Sequence, residues 1–298
     1  VVREKSINPS AFQLRSCPEG TGAVPGTTLA FTQGADCKLN RTLNLVYMDP
    51  AAFPGIPNNG VPFLLNNQVY GTLELNNDFA NGLSVTSTTA LYHLRSRSLT
   101  NTAQTSSVGT PMAISNRYKR DEITQELRVN SDFTGPFNFT LGAFYQNGDV
   151  SMSSTTRGNL ALGFGALSSG LDNELEIETL SFFGQARYRL TEKLELSGGA
   201  RWNDEQRTQD PINRVTGLAP PIRTDRIQSR NISPEMTINY IANDDLTVFA
   251  SLKQGYKSGS FTIVTLPREG IPNDFGDEKV QGGEIGVKSR MTWKGSVR

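Results

Sequence analysis

Positions 180 to 190 alternate. Leu180, Phe182, Gly184, Ala186, Tyr188 and Leu190 are apolar or small, and Ser181, Gln185, Arg187 and Arg189 between them are polar; only Phe183 breaks the pattern. A period of two belongs to a strand with one apolar and one wetted face. Thr191-Glu192-Lys193 interrupts it. The alternation then resumes, with Leu194, Leu196, Gly198, Ala200 and Trp202 on one face and Glu195, Ser197, Gly199, Arg201 and Asn203 on the other. So short a connection predicts an antiparallel hairpin. Each half alternates over about ten residues, roughly twice the usual length of a soluble sandwich strand.

The same unit recurs. Strands are predicted at 68–77 and 83–95, at 122–130 and 137–145, at 232–240 and 246–253, and a ninth at about 279–291. Before the central hairpin, Leu175 and Ile177 put the apolar positions on odd numbers, one step out of phase with Leu180 onward. A β-bulge near Thr179 is expected to reconcile the two phases. Pro234 falls inside a predicted strand and cannot donate to a ladder. Short turns at 78–82, 132–136, 191–193 and 243–245 alternate with long polar loops at 97–118, 148–173, 209–224 and 257–277. Residues 1 to about 66 read as irregular, broken by Pro9, Pro18, Pro25, Pro50, Pro54, Pro57 and Pro62. A short strand at 39–48 is the one element expected there.

Short turns at one rim, long loops at the other and long half-polar strands are the pattern of an outer-membrane barrel. The expected fold is all-β: an antiparallel up-and-down meander forming part of a large transmembrane β-barrel. On that reading Leu194 and Leu196 face lipid, with Tyr188, Trp202, Tyr240 and Tyr256 in aromatic girdles. Glu126, Arg128, Gln185, Arg187, Arg189, Glu195, Arg201, Glu235, Glu284 and Lys288 point inward. Their mixed signs suit contact with a polar plug better than a selective ion pore, which would favour one sign.

Composition adjusts this picture in a few places. Only 36% of the 298 residues are hydrophobic, as expected when half of each strand is polar. With 29 basic and 29 acidic residues there is no global electrostatic case for a nucleic-acid partner. No stretch is long and apolar enough for a membrane helix. Val1-Val2-Arg3-Glu4-Lys5 is not a signal peptide and reads as a mature or truncated start. Cys17 and Cys37 lie in a Pro/Gly/Thr-rich segment, either bridged or as two free thiols. A bridge would close a loop of about 20 residues, contribute roughly 3 kcal/mol, and imply the periplasm or cell surface.

Four stretches resemble TonB-dependent outer-membrane receptors. They are Gln125-Glu126-Leu127-Arg128-Val129; Phe183-Gly184-Gln185-Ala186-Arg187-Tyr188 through Gly198-Gly199-Ala200-Arg201-Trp202; Ser233-Pro234-Glu235 through Gly255-Tyr256-Lys257-Ser258-Gly259; and Gly283-Glu284-Ile285-Gly286-Val287-Lys288. The resemblance implies a barrel of about 22 strands in the outer membrane of a Gram-negative bacterium. About nine or ten of those strands would be present here, cut at both ends. Residues 1–67 would be an irregular external loop region, and 68–298 the partial barrel. The resemblance further implies binding and active import of a scarce solute, a metal–siderophore complex or an oligosaccharide. Outer-membrane lipid and the TonB complex would be its partners, the latter acting through a plug segment not recognisable here, and no cofactor is implied. An open half-barrel would expose edge backbone groups to lipid and is not expected to insert alone. A passive porin-like channel of the same architecture and a secreted all-β adhesin or carbohydrate-binding module are the rival readings.

No catalytic constellation competes with transport. His93 is the sole histidine and lies on a predicted strand, with no nucleophile elbow in the chain. One histidine and two loop cysteines make a poor zinc set. Gly163-Phe164-Gly165 with Gly170 fails dinucleotide spacing. Asp244-Asp245 and Asp121-Glu122 read as solvated charge.

Overall fold

The computed structural model describes residues 1–7, 47–101 and 110–290. Cys17, Cys37 and most of the short strand expected at 39–48 lie outside them. Twelve strands are described: β1 (Val2–Ile7), β2 (Phe63–Asp78), β3 (Leu83–Asn101), β4 (Met112–Ser131), β5 (Phe137–Gly158), β6 (Ser169–Thr191), β7 (Leu194–Asn213), β8 (Arg226–Asn243), β9 (Leu246–Lys257), β10 (Ser260–Phe261), β11 (Asp274–Phe275) and β12 (Glu278–Ser289). Ten of them form one antiparallel sheet in the order β1 to β9 and then β12, and β10 pairs with β11 separately. The sheet is an up-and-down meander with β1 and β12 as its edges, so it is not closed into a barrel among the described residues.

The sheet starts earlier than the hydrophobic pattern predicts. β2 begins at Phe63, and Val2–Ile7 pairs with its first residues from Gln68 back to Phe63. Both segments mix Asn, Glu, Lys and Ser with isolated apolar residues, so period two is hard to see in them. The central strands also run longer than predicted. β5 has 22 residues and β6 has 23, about double what a tilted strand needs to cross a bilayer.

The bulge expected at Thr179 is absent. β6 stays in unbroken register with β5 from Ser169 to Tyr188, and the shift against β7 falls at Arg189/Thr191, beside the turn. What changes along β6 is the surroundings of its two faces. From Leu180 to Leu190 the even side chains are apolar or small. Further up the same face carries Glu174, Glu176 and Glu178, all exposed, while Leu175 and Ile177 on the opposite face are buried. Neighbouring strands change at nearly the same height: Tyr145 gives way to Asn147 and Asp149, Trp202 to Asp204, and Ile232 to Arg230.

The buried apolar face at the top is covered by the chain between β9 and β12. Phe261 packs there with Val150, Leu175 and Ile177, flanked by Tyr118, Ile227 and Ile263. Pro234 explains why this segment fits. It faces Ala200 of β7, and the β8–β9 pairing stops one residue below it at Glu235–Lys253. Its missing N–H therefore removes no β9 rung. Above it β9 pairs only with β12, and the returning loop takes the vacated flank of β8. There Asp277 accepts from Ser229 Oγ at 2.6 Å, Asn231 Nδ2 at 2.9 Å and the Gly259 N–H at 2.8 Å. Burial alone would push this carboxyl up, but those three donors hold it below the usual carboxylate range.

A second small core, Met48, Phe53, Ile56, Leu99 and Ala113, forms where residues 47–62 fold against the outer ends of β3 and β4. Gly60 closes that loop at φ +77, where a Cβ would collide with the Met48 carbonyl.

The one break in the β6 alternation has a physical reason. Phe183 sits opposite Gly142 of β5 and lays its ring over it, so a Cβ at Gly142 would collide with the ring. Phe249 covers Gly286 of β12 in the same way. An aromatic over a bare strand position restores buried area that glycine lacks.

Two outcomes follow from these contacts. Gly142→Val in the intact protein should lower stability by roughly 1–3 kcal/mol through overpacking, read from urea unfolding in detergent, and adding Phe183→Ala should recover part of it. Asp277→Ala should cost the Gly259 amide roughly tenfold to a hundredfold in hydrogen-exchange protection at neutral pH. Because its folded pKa is depressed, Asp277 contributes fully above its unfolded pKa of about 3.9. In the wild type the same protection should be lost only as pH falls below that value, through the folded pKa. An unchanged Gly259 exchange rate in the variant would contradict this account.

Candidate ligand-binding face

Register assigns each predicted inward-facing and lipid-facing residue to a face. Glu126, Arg128, Gln185, Arg187, Arg189, Glu195, Arg201, Glu235, Glu284 and Lys288 all lie on one side of the sheet. Tyr188, Leu194, Leu196, Trp202, Tyr240 and Tyr256 lie on the other. The charged side is concave. A trough of about 860 Å³ on it is lined by Arg128, Gln185, Arg201, Glu235, Lys253 and Glu284, among others. The convex side carries the exposed apolar residues, from Leu73 and Leu75 on β2 to Ile285 and Val287 on β12.

The structure gathers only part of the predicted set. Arg187, Arg189, Glu195 and Lys288 share the concave face but stand nearer the short turns. Arg189 is opposite Glu195, and Lys288 lies 5.5 Å from the Phe249 ring centroid. In the trough itself, Glu235 joins two strands: it accepts from Gln185 Nε2 at 2.8 Å and pairs with Lys253 Nζ at 3.3 Å. Gln185 reaches it across Gly199, which stands between them in the ladder. A Cβ at Gly199 would lie only 2.8 Å from the Gly184 carbonyl oxygen.

Phe183 organises the arginines. Its ring lies between the guanidinium groups of Arg201, 5.7 Å from the centroid, and Arg128, 6.0 Å away, and Arg201 also approaches Phe144 at 5.2 Å. Such contacts hold cations in place while leaving N–H groups free to point elsewhere. Arg201 gives one to Ser181 Oγ at 2.9 Å, and Arg128 pairs with Glu126. Arg128 Nε is buried with no acceptor among the described residues.

Sequence reasoning missed three contributors. Lys253 was visible as a polar strand residue, but its partner on the next strand was not. Asp277 and Phe261 sit in a loop without periodicity, so only the fold shows that they close the upper end of the concave face. His93 is on the convex side, bonded through Nδ1 to Asp121 opposite it.

On the convex side the large aromatics fall at two heights. Trp202, stacked on Phe182 at 5.9 Å and 17°, and Tyr256 beside Lys279 stand towards the loop end. Tyr188 and Tyr240 stand towards the turns, with Phe137 opposite Tyr188.

The fold has known counterparts. The ferric yersiniabactin uptake receptor FyuA from Yersinia pestis aligns with a TM-score of 0.67 at 16% identity, over 82% of this chain and 37% of that one. The siderophore receptor PiuA from Acinetobacter baumannii gives 0.61 at 14%, over 78% and 38%. The copper transporter OprC gives 0.58 at 12%, over 78% and 37%. The chain thus spans well under half the length of these structures, and the likeness is one of fold. No curated protein matches. The family model described as TonB dependent receptor-like, beta-barrel, matches residues 23–297. The polarity reversal across one long-stranded meander, and the match along nearly the whole chain, place it in the TonB-dependent receptor family as a stretch of that family's outer-membrane β-barrel.

Proposed function

We propose that this chain is the central part of a receptor that binds a scarce small solute at the cell surface and imports it actively into the periplasm. The observation that carries the reading is the opposition of the two faces. Apolar side chains cover the convex face over about ten residues per strand, the length that spans a bilayer when tilted. Charges of both signs cover the concave one. On this reading the convex band meets lipid, with Trp202 and Tyr256 at the outer girdle and Tyr188 and Tyr240 at the inner. The ten charged or polar residues face the lumen.

A lumen lined this way suits a protein plug more than open water. Both signs are interspersed along it, with Arg128 paired to Glu126 and Lys253 to Glu235, so the wall does not present the single sign of charge that selects an ion. Arg128 Nε offers a buried donor that lacks an acceptor, as a wall does when its partner body is separate. Residues 1–67 fit an external region, and the loop carrying Phe261 closes the outer mouth. A bridge between Cys17 and Cys37 would suit that exterior. The solute class follows the structural relatives, whose names specify siderophores and copper. A metal–siderophore complex is therefore the first candidate and an oligosaccharide the second. Work would come from the TonB complex acting on the plug. A passive channel of the same shape would need neither.

The test uses the complete receptor in cells lacking its own copy. Uptake of the matching ferric siderophore should require both the receptor and TonB. Arg128→Met should reduce it by roughly tenfold, the cost of one charged hydrogen bond, with heat-modifiable gel mobility unchanged. Uptake that persists without TonB would instead identify a passive channel.

A further inference from the structure

Above the apolar band, the convex face of β1 to β4 carries a block of cations for which the receptor reading has no use. In the ladder, Arg95 stands directly opposite Lys119, and Arg97 directly opposite Arg117. The same two rows continue through Asn67 to Arg3 and through Leu65 to Lys5. All six cations are exposed. Like charges facing each other across a ladder destabilise a bare sheet. Only Lys119 has an acidic partner among the described residues, Asp121. The nearest carboxylates at this height, Glu174 and Asp172, are on β6, beyond Ser151 and Ser153 of β5. Arg157 adds to the block from above, donating to Ser115 Oγ at 3.2 Å. Burial, then the positive neighbours Arg214 and Arg117, lower its pKa.

The position of the block is defined from both sides. Below it, past the His93/Asp121 row, Leu91 and Ile123 end the exposed apolar band. Above it, Leu99 and Ala113 are sealed under Met48, Phe53 and Ile56. The cations thus form a shelf four (Arg95, Lys119) to six (Arg97, Arg117) residues of strand beyond Leu91 and Ile123, roughly 13 to 20 Å along the chain. A surface at that level meets the polar headgroups of the outer leaflet, and unpaired guanidinium groups select phosphate there by their forked donors.

We propose that Arg95, Arg97, Arg117 and Lys119 form a docking shelf for phosphorylated lipid headgroups of the membrane's outer leaflet. This rests on the convex band facing lipid, as argued under the function above. The phosphates neutralise the opposed cations and fix the depth and tilt of this side of the barrel. Charge segregation sets the polarity: phosphate is drawn to β1–β4 and repelled by the carboxylates of β6.

The experiment uses the full receptor in nanodiscs of phosphatidylcholine containing a minor fraction of diphosphorylated lipid A. Retained lipid A per protein is read by mass spectrometry. Wild type should retain it over phosphatidylcholine, and Arg97→Glu/Arg117→Glu should retain at least about tenfold less, one charged pair being worth about that much. Arg226→Glu, on the convex face of β8, should change nothing. Arg97→Gln/Arg117→Gln serves if the reversal fails to fold, with heat-modifiable mobility as the check, and should lose retention too. Equal retention by wild type and folded double variant would overturn the shelf. So would full displacement by millimolar inorganic phosphate, which marks a site for free anions. A receptor–receptor cross-link in lipid-free detergent that the double variant abolishes would assign the surface to a second copy. A wild-type receptor that does not enter the nanodisc at all would remove the lipid-facing reading itself. One that enters without retaining lipid A removes only the shelf.

Discussion

A strand cannot turn its side chains over without breaking its ladder. In a meander this is a strict condition, because a one-residue slip in one strand would present the wrong face to every neighbour. β5, β6 and β7 meet it by holding register over almost their full lengths. The surroundings change along those lengths while the backbone does not, so the amino-acid types must change instead. Where the convex side passes from the apolar band to exposed surface, leucine and phenylalanine give way to glutamate, asparagine and arginine. Where the concave side passes from the trough to the loop-covered top, glutamine and arginine give way to Leu175, Ile177 and Val150. Two opposite switches at nearly one height mark a single level at which the surroundings of both faces change.

That change accounts for what was legible beforehand. In the lower half of each strand, period two runs cleanly, and the hairpins, their turns and the faces of Arg201 and Trp202 follow from it. At Thr179 the same rule misleads. A change in which positions are greasy looks like a change of phase when one assumes that the greasy face is always the same face. The N-terminal strand and the outer ends of β3 and β4 were obscure for another reason. Stretches such as Arg95-Ser96-Arg97-Ser98 and Asn116-Arg117-Tyr118-Lys119 are polar on both sides, so alternation gives no contrast to read. The grip of Asp277 on Ser229 and Asn231 was invisible because it joins residues nearly fifty apart through side chains alone.

On the concave face, order comes from rings as much as from ion pairs. Phe183 and Phe249 each lie flat over a glycine and each carry cations on their faces. A phenylalanine among polar residues thus does two things: it fills the gap in the neighbouring strand, and it aims arginines whose stems would otherwise be free. Charged hydrogen bonds such as that between Gln185 and Glu235 then tie strands that are not adjacent, over the bare backbone of Gly199.

Pro234 has a wider effect than the loss of one donor. Because β9 parts from β8 just below it, the edge of the sheet and the cover over its upper concave face are made of the same piece of chain, fastened at Asp277. Lifting this loop therefore also bares the upper flank of β8, and the two movements are coupled through a single carboxyl, that of Asp277.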